Sequence, residues 1–236
     1  MKHCASVLAL AVSTIAAVPA TSVAQGMPET SHAVAGGGIS VPGWTGRIDA
    51  AEASRGSTLE NSKLTAEGNA LHVTTGPAVA YWNPKNVATG EYTVMATFTE
   101  AKYMGLNSHP HPYGIMIGGN DLGTDQQTYL YCAAYGNGNF IMRGFSPAPF
   151  QVNGRGGAPS PAVHKAAGVG QPVTQDIAVS VKNDRVDCSI NGTVVGSYAK
   201  SELVGPGKIK STDGVYGIRF AHNTDATVTN FMVMKP

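Results

Sequence analysis

Hydrophobic positions recur at a spacing of two most clearly between Asp176 and Ala199 (DIAVSVKNDRVDCSINGTVVGSYA). Ile177, Val179 and Val181 alternate with Asp176, Ala178, Ser180 and Lys182, the pattern of a strand with one buried face. Asn183-Asp184 marks a turn, and Val186, Cys188 and Ile190 resume the alternation. Asn191-Gly192 supplies the two positive-φ residues of a tight hairpin, and Thr193 to Tyr198 returns, so the pattern predicts a three-stranded meander.

The same spacing predicts a strand over Tyr92 to Glu100, with Val94, Ala96 and Phe98 on one face and Thr93, Thr97 and Thr99 on the other. Tyr113 to Ile117, Thr128 to Tyr135 and Phe140 to Phe145 read as three neighbouring strands, the last two joined around Gly136-Asn137-Gly138. Trp44 to Ile48 reads as a first strand, expected to pair with the C-terminal one. Ala70 to Thr74 and Ala78 to Trp82 read as an edge hairpin about Gly76-Pro77. Ser146 to Val173 has no periodicity and is expected to be irregular.

Composition agrees with an all-β domain: 29 Gly and 14 Pro against 13% charged residues suit many short strands and turns. The N-terminus carries a processing segment, with Lys2 and His3 ahead of an apolar run from Val7 to Val18 and small residues Ser22-Val23-Ala24. This predicts a signal peptide over 1–24, a flexible lead-in over 25–40 and a single domain over 41–236. The expected location is secreted or periplasmic. The apolar run is shorter than the ~20 residues of a spanning helix. Of 16 basic and 15 acidic residues, removal of 1–24 takes only Lys2, leaving 15 of each. A neutral chain has no field to hold nucleic acid or an anionic membrane. Cys132 and Cys188 fall on inward strand positions and form either one disulfide or two buried thiols.

The meander ending in Asn-Gly, together with Gly214 to Phe220 (GVYGIRF) and Ala226 to Met234 (ATVTNFMVM), resembles the late hairpins and closing strands of the concanavalin A-like lectin and glucanase superfamily. From about Tyr92 onward the layout is also similar to laminin-G-like modules and to the 3-keto-disaccharide hydrolase-like family. The resemblance implies an all-β, concanavalin A-like jelly-roll β-sandwich of two antiparallel sheets that binds or cuts glycans on the concave face of one sheet.

On that expectation the candidate ligand-binding residues are Tyr129, Tyr131, Arg143, His109, His111 and Arg219. Tyr129, Tyr131 and Tyr135 alternate with core-facing Leu130, Cys132 and Ala134. They form either a platform for stacking sugar rings or a minor core under long loops. Arg143 and Arg219 lie on non-core faces, to be satisfied by a polar ligand or by surface ion pairs. His109 and His111, at i and i+2 between prolines, could face one metal ion, but no third ligand stands at a recognisable spacing. Asn120, Asp121 and Asp125 offer oxygen ligands to Ca²⁺ without a known loop pattern; turn chemistry explains them equally well, and no cofactor is expected. No closely spaced Glu-Asp-Glu strand of retaining glucanases is present, and Asn107-Ser108-His109 departs from the Asn-Ser-Gly strand of the 3-keto-disaccharide hydrolase-like family. The expected function is a carbohydrate-binding, lectin-like domain. A glycoside hydrolase of the 3-keto-disaccharide type and a structural or adhesive envelope protein are the alternatives.

Overall fold

The computed structural model describes Met1 and residues 29–236. The signal-peptide segment falls, Met1 apart, outside the described residues. The chain opens with β1 (Gly38–Ile39) and β2 (Thr45–Ile48), a one-turn helix α1 (Ala50–Ala53) and a 3-10 turn at Leu59–Asn61. Strands β3 (Lys63–Glu67), β4 (Ala70–Thr74), β5 (Val79–Ala88) and β6 (Tyr92–Glu100) follow. Then come β7 (Tyr113–Asn120), β8 (Thr128–Ala134), β9 (Asn139–Ser146), β10 (Ala148–Gln151) and β11 (Ala158–Pro159). The meander is β12 (Val173–Val181), β13 (Arg185–Ile190) and β14 (Thr193–Ala199), and after α2 (Lys200–Leu203) the chain ends with β15 (Gly214–Phe220) and β16 (Asp225–Met234). No helix among the described residues is long and apolar enough to cross a membrane.

These strands form two facing sheets, an all-β jelly-roll sandwich. One runs β1-β3-β4-β16-β6-β12-β13-β14; the other runs β10-β9-β8-β7-β15-β5-β2, with β11 also pairing β9. All pairs are antiparallel except β1 with β3. Alternation sets the core between them: Val94, Ala96, Phe98, Ile177, Val179 and Val181 from the first sheet meet Tyr113, Ile115, Leu130, Cys132, Ile218 and Phe220 from the second. Phe98 packs its ring 5.7 Å from Tyr113 and 6.0 Å from Phe220. The threonine face of β6 is a ladder with β12, where Thr93 meets Ser180 at 2.8 Å, Thr97 donates to Asp176 at 2.6 Å and Thr99 meets Thr174 at 3.0 Å. Cys132 on β8 and Cys188 on β13 face each other across the core, Cα atoms 6.0 Å apart, and are disulfide-bonded.

Several expected pairings differ. β2 pairs with β5, and the C-terminal β16 lies in the other sheet between β4 and β6. β4 and β5 are not a hairpin, because Gly76-Pro77 carries the chain from one sheet to the other. Val79 to Trp82 is buried on both faces, which a solvent-facing edge strand would not be. β15 and β16 are likewise split between the sheets by Ala221 to Thr224. The lead-in is tied down from residue 29 onward: the His32 N–H donates to Asn223, the Val34 N–H to the Asn61 carbonyl, and β1 joins β3. Within Ser146 to Val173, β10 and β11 both pair along β9, the former closing a hairpin that turns at Pro147.

Three chain segments cross between sheets at one end of the sandwich: Thr75 to Ala78, Ala101 to Pro112, and Ala221 to Thr224. Backbone bonds knit them, from the Ala221 N–H to the Pro112 carbonyl (2.9 Å), Asn223 to Gly76 (2.9 Å) and Thr75 to Thr224 (2.8 Å). The candidate site lies at this end.

Candidate functional site

The outer face of the second sheet is not open. Tyr129 and Tyr131 are 1% and 4% exposed. They belong to a second apolar cluster with Ala80, Trp82, Met116, Ala133, Ile141 and Phe145. Tyr129 stacks on Phe145 at 4.8 Å, and Arg219 lies over the rings of Tyr131 and Phe145 at 5.8 and 5.4 Å. The sequence alternation therefore assigns the tyrosines to the correct face, but that face is a minor core. Tyr129 is not a free stacking platform, because Phe145 covers its ring and the cluster leaves it buried.

Beside this cluster a cleft of about 230 Å³ opens toward the crossing segments, bounded by Tyr131, Tyr135, Arg143, Arg219, Asp49, Glu52 and His222. Sheet register builds it: Tyr131 stands directly opposite Arg143, and Arg219 opposite Gly114 on one side and Ala80 on the other. Arg219, expected to meet either a polar ligand or a surface ion pair, is 5% exposed and donates through Nη2 to Asp49 at 2.6 Å. Its Nη1 is buried without a partner. The Arg143 guanidinium is held by Gln151 of β10, whose carboxamide oxygen, turned toward it, accepts from Nη2 at 2.5 Å and Nε at 2.9 Å. Burial pushes the Tyr135 phenol up to about 12 and raises Tyr131 as well, so both hydroxyls stay protonated and able to donate.

Asp49 and Glu52 were not singled out by sequence, although Asp49-Ala50-Ala51-Glu52 carries the Asp-x-x-Glu spacing of a helix start. The spacing does begin α1, yet Asp49 makes no side-chain cap. Its carboxylate faces Arg219 instead, and Glu52 accepts from the Ser31 hydroxyl at 2.8 Å and faces His222 Nδ1 at 3.5 Å.

His109 and His111 stand behind the cleft wall with two residues that sequence reading missed, Glu29 and His222. One donor atom from each of the four lies within 4.8 Å of the others. His222, which local spacing could not reveal, comes from the β15–β16 crossing, a hundred and more positions along the chain. Burial, with neighbouring His222 adding to it, pushes His111 down to about 4, and burial also lowers His222. The proposed Ca²⁺ turn is occupied otherwise: Asp121 pairs with Lys210, and Asp125 with Arg47 at 2.6 Å, while Asn120 donates to the carbonyls of Gly118 and Asp213.

No protein-family model and no curated protein sequence matches this chain. The fold does have solved counterparts. A carbohydrate-binding module, CBM66, from Bacillus subtilis superposes with a TM-score of 0.54 at 9% identity, covering 84% of this chain and 99% of that one. A Bacillus subtilis protein of unknown function with a galectin-like fold superposes with a TM-score of 0.50 at 13% identity, covering 80% and 88%. The chain thus has a galectin-like, jelly-roll β-sandwich fold.

Proposed function

We propose that this protein is a secreted carbohydrate-binding domain that holds one sugar unit in the cleft between Arg143, Arg219, Tyr131 and Tyr135. The observation that carries the reading is Arg219, which lines the cleft while its Nη1 group is buried and unpartnered. A buried donor left unpaired costs about 1–3 kcal/mol, more for a charged group, and a ligand oxygen would recover it. Around it stand the two kinds of group a sugar asks for. Guanidinium and carboxylate oppose each other for hydroxyls, and tyrosine edges line the apolar face. The cleft is smaller than the roughly 300 Å³ at which pockets for drug-sized ligands begin, which favours a single ring or a chain end.

The test is a glycan array followed by titration of the best ligand. Arg143→Ala is expected to weaken binding roughly 10- to 100-fold, the loss of one charge-assisted hydrogen bond of about 1.5–3 kcal/mol. Tyr129→Phe, which alters a hydroxyl outside the cleft, is expected to leave it unchanged. Absence of any glycan ligand, or equal affinity of Arg143→Ala and wild type, would sink this reading.

A second reading, a glycoside hydrolase, is favoured by one feature: Asp49 and Glu52 bring two carboxylates to the same cleft, the minimum set for glycosidic cleavage. It predicts released products in the same wells, abolished by Glu52→Gln.

A further inference from the structure

Glu29, His109, His111 and His222 come from three separate parts of the chain and converge at the end where the sheets exchange strands. In Glu29, His111 and His222 one polar atom is already engaged outside the cluster, which leaves the other facing inward. His111 donates from Nδ1 to the His222 carbonyl at 2.6 Å, which fixes its tautomer and leaves a lone pair on Nε2. His222 presents Nδ1 to the Glu52 carboxylate, and its Nε2 is buried with no partner. Glu29 accepts the Ser108 N–H on Oε1 at 2.9 Å, while Oε2 is buried with no hydrogen bond, 3.1 Å from His109 Nδ1.

His109 exposes the difficulty. Its Nε2 lies 2.9 Å from the His111 Nε2 lone pair, and its Nδ1 lies 3.1 Å from Glu29. A neutral imidazole carries one proton, so either the two Nε2 lone pairs face each other or a ring lone pair faces the carboxylate oxygen. A cation at the centre removes the conflict, since every group then presents a lone pair to positive charge.

We propose that these four side chains form a binding site for one divalent first-row transition metal, with Zn²⁺ as its natural probe. Three imidazoles and one carboxylate are the donors that zinc and its neighbours take, whereas Ca²⁺ and Mg²⁺ prefer oxygen alone. Ligands on a tetrahedral ion with bonds of roughly 2.0–2.1 Å stand roughly 3.3–3.4 Å apart. Donors already within 4.8 Å of one another therefore need only small adjustments to reach that spacing. Four protein ligands close the shell, which assigns the ion a structural role: it fastens the N-terminal segment, through Glu29, to the β6–β7 and β15–β16 crossings. The site stands independently of the glycan reading.

The experiment uses purified protein stripped with chelator and dialysed, then titrated with Zn²⁺ by calorimetry and with Co²⁺ by visible absorption. One ion per chain, intense four-coordinate Co²⁺ bands and a raised Tm in Zn²⁺ are expected. His109→Ala, at a half-exposed position the fold can spare, and Glu29→Gln should each weaken Zn²⁺ binding about tenfold or more and erase the Tm gain. His164→Ala, outside the cluster, should not. Circular dichroism establishes that the variants are folded, and His109→Ala decides the question if others are not. No uptake of Zn²⁺ or Co²⁺ at millimolar metal, or equal affinity in wild type, His109→Ala and Glu29→Gln, would overturn the site.

Discussion

Glu100 ends β6 with its carboxyl turned inward, 3% exposed. One oxygen accepts the Met104 N–H at 3.0 Å and the other is buried without a partner. Burial pushes its pKa up to about 7. Between about 4.5 and 7 the folded state therefore holds a proton that the unfolded state has released, and stability falls as pH rises through that window. The cost above it is about 3 kcal/mol, at 1.36 kcal/mol for each pKa unit. Glu100→Gln keeps an acceptor for Met104 and carries no charge. It is expected to raise stability relative to wild type at pH 8, with the gain vanishing near pH 4.5. Urea unfolding of both proteins across this range checks it, and a gain of equal size at every pH would show that charge burial is not the cause. The same residue shows what sequence can and cannot say. Alternation places Glu100 on the inward face together with Val94, Ala96 and Phe98, but not the loop that covers it. Tyr129 is covered by Phe145 for the same reason: spacing assigns a face, and the occupants of that face come from elsewhere in the chain.

At the scale of elements, the meander was legible because everything that forms it is local. Asn191 and Gly192 adopt φ of 49° and 79°, the pair of positive values a two-residue hairpin needs, and β12, β13 and β14 pair in sequence order. A Cβ on Gly192 would meet nothing within 4 Å, so Gly192→Ala isolates the backbone term. The left-handed conformation costs an L-residue about 1–2 kcal/mol, and thermal unfolding should show a loss of that size. A variant as stable as wild type would mean that the turn relaxes into another type. Connections that cross between sheets were not legible, because Gly76-Pro77 is a valid turn signal whether the chain folds back or crosses over. The distinguishing mark was present in the unbroken apolar run Val79 to Trp82, which only a strand covered on both faces can carry. His222 lies in another such crossing, so the residue that completes the histidine cluster was hidden along with the crossing itself.

The whole molecule is two sheets whose separation is held by one covalent link as well as by the core. The Cys132–Cys188 bond joins β8 to β13 across the sandwich and closes a loop with a sequence separation of 56. Restricting the unfolded chain by a loop of that length contributes about 4 kcal/mol on the chain-entropy model. Domains of this kind are stable by only about 5–15 kcal/mol, so the link is a large share of the total. Sequence spacing left the pair open between bond and thiols because strand register was unknown, and register is what sets 6.0 Å between their Cα atoms. A Cys132→Ala/Cys188→Ala double variant is expected to lose about 3–5 kcal/mol in guanidinium unfolding, and reduced wild type should approach it. An unchanged midpoint under reductant would show the thiols to be free. A fold leaning this heavily on a disulfide suits an oxidising compartment, the setting the proposed secretion would provide.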